Sequence, residues 1–347
     1  AWDVKGKVGS VAVGGAVGTA DSAWQLKNAT AITTLKLGDV ANTSVSVDGA
    51  VGLVQAIRWQ TGLLAAASVG TAKTTGMRGD ARLGIAAIPG DWGADVTLSG
   101  VGATRYTLGT AQIAGGADGT WEVTGHGNSV KVGSSAVTWD VTFTGNVASV
   151  TSNGDLSGRF EANSIGTVSA KNITDAEFNL NQVPDPKLLA LKTMTAKEWM
   201  TAVRVLSAGN IGSVSALGMA NSSVFAGVLA THDTNGDDGV LDLPNPATEL
   251  DLTAAGRAFI KSVRVSGIRG ADRQYADSLI NSNLAAAEFG SVYLGYVRTA
   301  NSGVPFGLAA DYIQMLTTRD KEGTAVFRNL ALPGDSGVWD DAEVRVI

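Results

Sequence analysis

The chain has 347 residues, a net charge of −6, 44% apolar residues, 17% charged residues, 44 glycines, 7 prolines and no cysteine. A charge-poor, aliphatic-rich composition excludes long disorder, which is charge-rich and aliphatic-poor. The absence of cysteine excludes disulfides and thiolate metal sites, and without a Lys/Arg block nucleic-acid binding has no electrostatic footing.

The opening Ala1-Trp2-Asp3-Val4-Lys5-Gly6 already reads like the inside of a repeat. We therefore expect a mature or excised piece whose targeting segment is missing. Short β-type runs follow, punctuated by Gly, Asn and Asp: Val8 to Val13, Ile32 to Leu37, Thr43 to Val47. The Val51 and Val69 runs start 18 residues apart, as do the Val147 and Ile165 runs. Units this small cannot bury their own cores, so stacked neighbours must bury them together. Runs such as Thr138-Trp139-Asp140-Val141-Thr142-Phe143 alternate with period two, and Val, Ile and Thr favour extended backbone.

These features predict an all-β chain: a right-handed parallel β-helix (β-solenoid) with looped-out insertions and a few short helices, one array over residues 1–347. Each coil of about 18–22 residues would advance roughly 4.8 Å, the spacing of paired strands. Residues 80–100 depart from the simple rung. Pro184 and Pro186 mark an insertion or short helix over 184–199, where Leu188, Leu189, Leu191, Met194 and Trp199 offer a rough apolar helical face. The rungs resume at Met200. Residues 229–258 form an acidic inserted loop, and a short helix is expected over 253–260. Rungs return at Ile260, Ser278 and Phe289. Asp311 to Leu316 reads as a strand or short helix, and strand-like residues from Val338 to Ile347 are expected to cap the stack's open edge. No apolar run reaches membrane-spanning length.

The sharpest local motif is Asp233-Thr234-Asn235-Gly236-Asp237-Asp238-Gly239-Val240-Leu241-Asp242. Alternating oxygen-bearing side chains around a Gly turn suit a hard cation. Asp233, Asn235 and Asp237 match the first ligands of a calcium loop, and Asp242 supplies a shifted carboxylate. Asp238 stands where the turn glycine belongs, and Pro244 where the bidentate Glu belongs, so an acidic surface turn stays the alternative. If calcium binds, it pins the loop rather than catalyses.

Other candidates carry less. His126 and His232 show no metal spacing, and Gly125-His126-Gly127 reads as a solvated turn. No Gly-x-Ser-x-Gly elbow or phosphate loop occurs. The carboxylate pairs Asp91/Asp95, Asp237/Asp238 and Asp340/Asp341 read as corners, and Arg264, Arg269, Asp272 and Arg273 are the nearest to a lyase cluster. Trp24, Trp59, Trp92, Trp121, Trp139 and Trp199 could stack on sugars if exposed in a row, but core and corner packing is the plainer reading. Asn221, Asn281 and Asn283 read as stacked amide ladders.

The cores Val8 to Val11, Ile165 to Val168 and Ile211 to Val214 share an Ile/Val-Gly-Ser/Thr-Val pattern, and Phe289 to Val292 repeats it with Phe in the first place. With Gly90 to Asp95, Ser223 to Val228, Asn281 to Ala286 and Val304 to Ala310, the chain resembles large secreted bacterial repeat proteins with parallel β-helix stalks, found as surface proteins of planctomycete-type bacteria. The resemblance implies a non-enzymatic extracellular or cell-surface role, structural or adhesive: matrix, filament or surface-layer component. Partners would be other copies of the chain or neighbouring surface proteins. The alternative is a β-helix that binds or cleaves polysaccharide.

Overall fold

The computed structural model describes residues 1–103, 105–183, 185–228, 239–244, 257–267, 277–319 and 323–347. Among them the chain is all-β, with strands that pair almost entirely in parallel and no α-helix; two 3-10 turns, Ala81–Leu83 and Pro333–Asp335, are the only helical pieces. The backbone divides into two compact units, residues 1–163 and 164–347.

Each unit is built from two strand ladders visited in turn, so a strand pairs with the next but one in sequence, as in a solenoid. In residues 1–163 the first ladder runs through Trp2–Val13, the second half of Trp24–Leu37, Ala50–Ala56, Ser68–Thr74, Leu108–Gln112, Gly127–Val132 and Asn146–Ser152. The second runs from the first half of Trp24–Leu37 through Asp39–Val47, Arg58–Ala66, Asp95–Leu98, Thr120–Val123, Asp140–Phe143 and Asp155–Ala162. In residues 164–347 the first ladder is Ser164–Ala170, Leu191–Ala196, Ile211–Ala216, Phe259–Val265, Glu288–Leu294 and Tyr312–Arg319. The second is Asn172–Leu180, Trp199–Ser207, Gly218–Ala226, Leu279–Ala286, Phe306–Ala310 and Ala342–Val346.

The first-ladder motif has a mechanical origin. In Ile211-Gly212-Ser213-Val214-Ser215-Ala216, the residues Ile211, Val214 and Ala216 are buried. Inward spacing is therefore three and then two, not a steady two, because the strand bends at Gly212. A Cβ there would sit 2.3 Å from the Lys192 carbonyl oxygen of the preceding rung. Gly290 stands in the same way against Lys261, so rungs with a glycine at the bend alternate with rungs carrying lysine. In the second ladder of residues 164–347 the bend falls on Asp175, Ala202, Asn221 and Asn281, all left-handed with φ of 49, 52, 49 and 39°. Asn tolerates that region better than other side-chain-bearing residues. The amides stack there: Asn281 donates to Asn221 at 3.2 Å and Asn301 to Asn281 at 2.8 Å.

The two units fill their interiors differently. Trp59, Trp92, Trp121 and Trp139 lie one above another in successive coils with ring centroids 4.9, 6.0 and 5.4 Å apart, and Phe160 continues the row at 5.3 Å. All are buried. In residues 164–347 the matching column opens with Phe178 and is aliphatic from there on, through Val205, Val224, Leu284, Leu308 and Val344. Each buried aliphatic side chain contributes about 1.5–3 kcal/mol.

One expectation is corrected. The apolar face read as a helix over 184–199 belongs to a strand: Leu191, Met194 and Ala196 are the inward residues of Leu191–Ala196, and Leu188 is exposed. Of the two readings of 311–316, strand or short helix, the strand is the one found, within Tyr312–Arg319. The short helix expected over 253–260 lies largely outside the described residues, and Phe259 already opens the strand Phe259–Val265. Of residues 80–100, the part up to Asp91 does leave the rung. Asp80 accepts hydrogen bonds from the Arg82 and Leu83 amides, and Trp92 rejoins the second ladder beside Trp59. Antiparallel strands close the final rungs: Thr324–Leu330 on Tyr312–Arg319, and Gly337–Trp339 on Ala342–Val346.

Candidate functional site

Of the four residues read as calcium ligands, Asp233, Asn235 and Asp237 lie outside the described residues, as do His232, Arg269, Asp272 and Arg273. Asp242 is half-buried on the segment 239–244. That segment is a strap across the outer side of the second ladder of residues 164–347.

The ladder presents an unusual outer surface there. The outward column Leu206, Phe225, Ala285, Ala309 is apolar. Leu241 and Leu243 alternate with Asp242 and close over it, forming an external cluster with Phe225, Ala285 and Ala309, flanked by Leu206, Val228 and Ile347. Polar groups fix the strap's register. The Leu241 amide donates to Ser223 Oγ at 2.9 Å, and Asn283 Nδ2 donates to the Leu241 carbonyl at 2.8 Å. The Asn283 side-chain oxygen, Oδ1, accepts from the Gly307 amide at 2.8 Å. Arg204 reaches the Gly239 carbonyl at 3.1 Å, and Arg345 reaches the Leu243 carbonyl at 3.2 Å. Ser223 and Asn283 are 1% exposed, so these bonds satisfy groups that burial would otherwise penalise by about 1–3 kcal/mol each. Asn283 thus holds the strap rather than joining the amide ladder of Asn221 and Asn281.

The remaining candidates have structural partners. Asp91 Oδ1 accepts from the Gly116 amide and Asp95 Oδ1 from the Thr120 amide, each at 2.8 Å, tying one coil to the next. Asp341 Oδ2 accepts from the Asn301 and Gly303 amides. Asp340 is exposed. His126, on an exposed turn, accepts from the Asn146 amide at Nδ1. The Arg264 guanidinium lies over the Tyr293 ring, 4.7 Å from its centroid. Hydrogen bonding to Asp39 raises the Arg58 pKa, locking that pair as a coil-to-coil tie. Two backbone amides, Ala331 and Leu332, lower the Asp335 pKa. Among the described residues no group of three or more His, Cys, Asp or Glu side chains is placed to hold a metal.

A cavity of about 140 Å³ opens near the end of the stack, floored by Leu279, Leu294, Phe306 and Leu308 and bordered by Trp339 and Arg319. Its size is that of a single aromatic ring, and its lining is mostly apolar.

The strap was not legible in the sequence, because Ser223 and Asn283 meet only through neighbouring rungs. The available signal was Phe225 and Leu206 at outward positions, where an apolar column calls for a cover. Among the described residues no helix is long and apolar enough to cross a membrane. The chain matches no protein-family model, no curated protein and no solved structure.

Proposed function

We propose that the chain is a non-enzymatic extracellular structural or adhesive protein, a right-handed parallel β-helix. The observation that carries this reading is where the chemically versatile side chains go. The stacked indoles of Trp59, Trp92, Trp121 and Trp139 and the amides of Asn221, Asn281 and Asn301 bind rung to rung. The right hand is favoured by the general rule for crossovers between parallel strands. Calcium at Asp233, Asn235, Asp237 and Asp242 would pin the acidic loop where it enters the strap. Calorimetric titration of Ca²⁺ into wild type and an Asp233→Ala/Asp237→Ala variant tests it; no heat in wild type ends that part.

A second reading, carbohydrate binding or cleavage, draws on the exposed rings of Trp2, 50% accessible and edge-on to Trp24, and Trp339, 44% accessible. Incubation with a polysaccharide panel separates the two. The structural reading expects an intact, protease-resistant chain and no new reducing or unsaturated ends. Released ends overturn it. Retention on a glycan that Trp2→Ala or Trp339→Ala abolishes would establish the second reading.

A further inference from the structure

The two ladders of residues 1–163 carry opposite charges on their outer faces. On the first, one outward column reads Lys36, Gln55, Lys73, Gln112, Lys131 on successive strands. Lysine recurs on every second strand, roughly 9–10 Å apart. From Trp24–Leu37 through Asn146–Ser152, the strands of this ladder contain no Asp or Glu. None of the three lysines has an ion-pair partner among the described residues.

On the second ladder four successive strands carry acids: Asp95, Glu122, Asp140 and, on the last, Asp155 and Glu161. Asp95 and Asp140 share a column through Thr120, and Glu122 and Glu161 share the neighbouring column through Thr142. Each acidic column also repeats every second strand, with the same period of roughly 9–10 Å. Arg159, 3.7 Å from Asp140 and 3.2 Å from Glu161, offsets part of this charge and leaves an acidic excess.

We propose that these faces pair between copies of this chain, the lysine column of one against the acidic columns of the next. The match in period is set by the backbone, since both columns are ruled by the same strand spacing. Any two copies are therefore commensurate along the stack. The chain's net charge of −6 opposes indiscriminate association, so attraction is confined to the lysine face. The contact joins two different faces, so it propagates rather than closing into a dimer. The proposal rests on the structural reading above and gives it a mode of assembly.

Sedimentation velocity of the full chain tests it. Wild type is expected to form concentration-dependent species larger than monomer at low salt and to return to monomer near 1 M NaCl, where the screening length falls to about 3 Å. A Lys36→Glu/Lys73→Glu/Lys131→Glu variant, and separately a Glu122→Lys/Glu161→Lys variant, should each stay monomeric. Mixing them should restore association, because each then finds an opposite face. A Lys→Gln triple variant, which removes charge without adding repulsion, should weaken assembly and stands in if the Glu variant fails to fold; circular dichroism and melting check the fold. A monomeric wild type at low salt, variants that assemble like wild type, or well-folded variants that do not combine would overturn the proposal. So would a monomeric wild type that binds polygalacturonate through the three lysines, which would assign the face to an anionic polymer. The sedimentation results leave the protease test and the search for released ends untouched, so failure of the assembly proposal and failure of the structural reading are told apart.

Discussion

Residues 1–163 and 164–347 share one rung design and differ in what they place inside and outside their second ladders. The first unit fills that interior with stacked indoles and leaves the outside bare and acidic. The second has no indole there and, after Phe178, fills it with aliphatic side chains, turns an apolar column outward and covers it with the strap 239–244. The rung backbone depends on inward residues and on the bend. The outer columns are free to be charged, hydroxylated or greasy, provided a greasy one is covered.

The largest expected effect comes from removing the feature peculiar to the first unit. Trp121→Ala should destabilise by about 3–5 kcal/mol, the range for large aromatic deletions in cores. Chemical denaturation measures this, and a loss under 1 kcal/mol would mean that the ladder collapses around the gap. The matching test in the second unit is Leu241→Ala. It should lose about 2–3 kcal/mol of local stability as the external cluster opens, seen as faster hydrogen exchange at the Leu241 amide. Unchanged exchange would show that the polar ties alone hold the strap.

A smaller and opposite effect is expected at Ala202, which holds φ of 52° in a column otherwise filled by Asp175, Asn221 and Asn281. Ala202→Asn should stabilise by about 1 kcal/mol, because left-handed backbone strains an alanine more than an asparagine. A lower melting temperature would count against the strain. The smallest effect concerns Asp335. Its carboxylate accepts from the Ala331 and Leu332 amides, which lowers its pKa. A depressed folded pKa gives stability that is present above the ordinary value of about 3.9 and lost as pH falls through the folded one. Protection of the two amides should drop in acid, and Asp335→Asn should remove that pH dependence.

The all-β, parallel, coil-by-coil architecture was legible because the inward residues recur in every rung. The same bend that makes the motif also misled. Leu191, Met194 and Ala196 sit three and then two apart, and a first step of three also marks one face of a helix. The indoles were legible as packing groups, but not as a continuous stack, since Trp59 and Trp92 are separated by the excursion that ends at Asp91. The lysine column was hidden for the same reason: Lys36, Lys73 and Lys131 are unevenly spaced in sequence and aligned only by pairing. Ser223 and Asn283 stand side by side across a pair of strands that the sequence separates by a long insertion.

The indole stack has an optical consequence. Four chromophores with centroids 4.9 to 6.0 Å apart, held in tilted or edge-on orientations, are close enough for their excited states to couple. Excitation absorbed at one ring is shared along the row, and the near-ultraviolet circular dichroism of residues 1–163 carries the sign of that arrangement. A slip of one coil against its neighbour changes the coupling before any strand is lost. The protein therefore contains its own spectroscopic gauge of rung register, readable without a label.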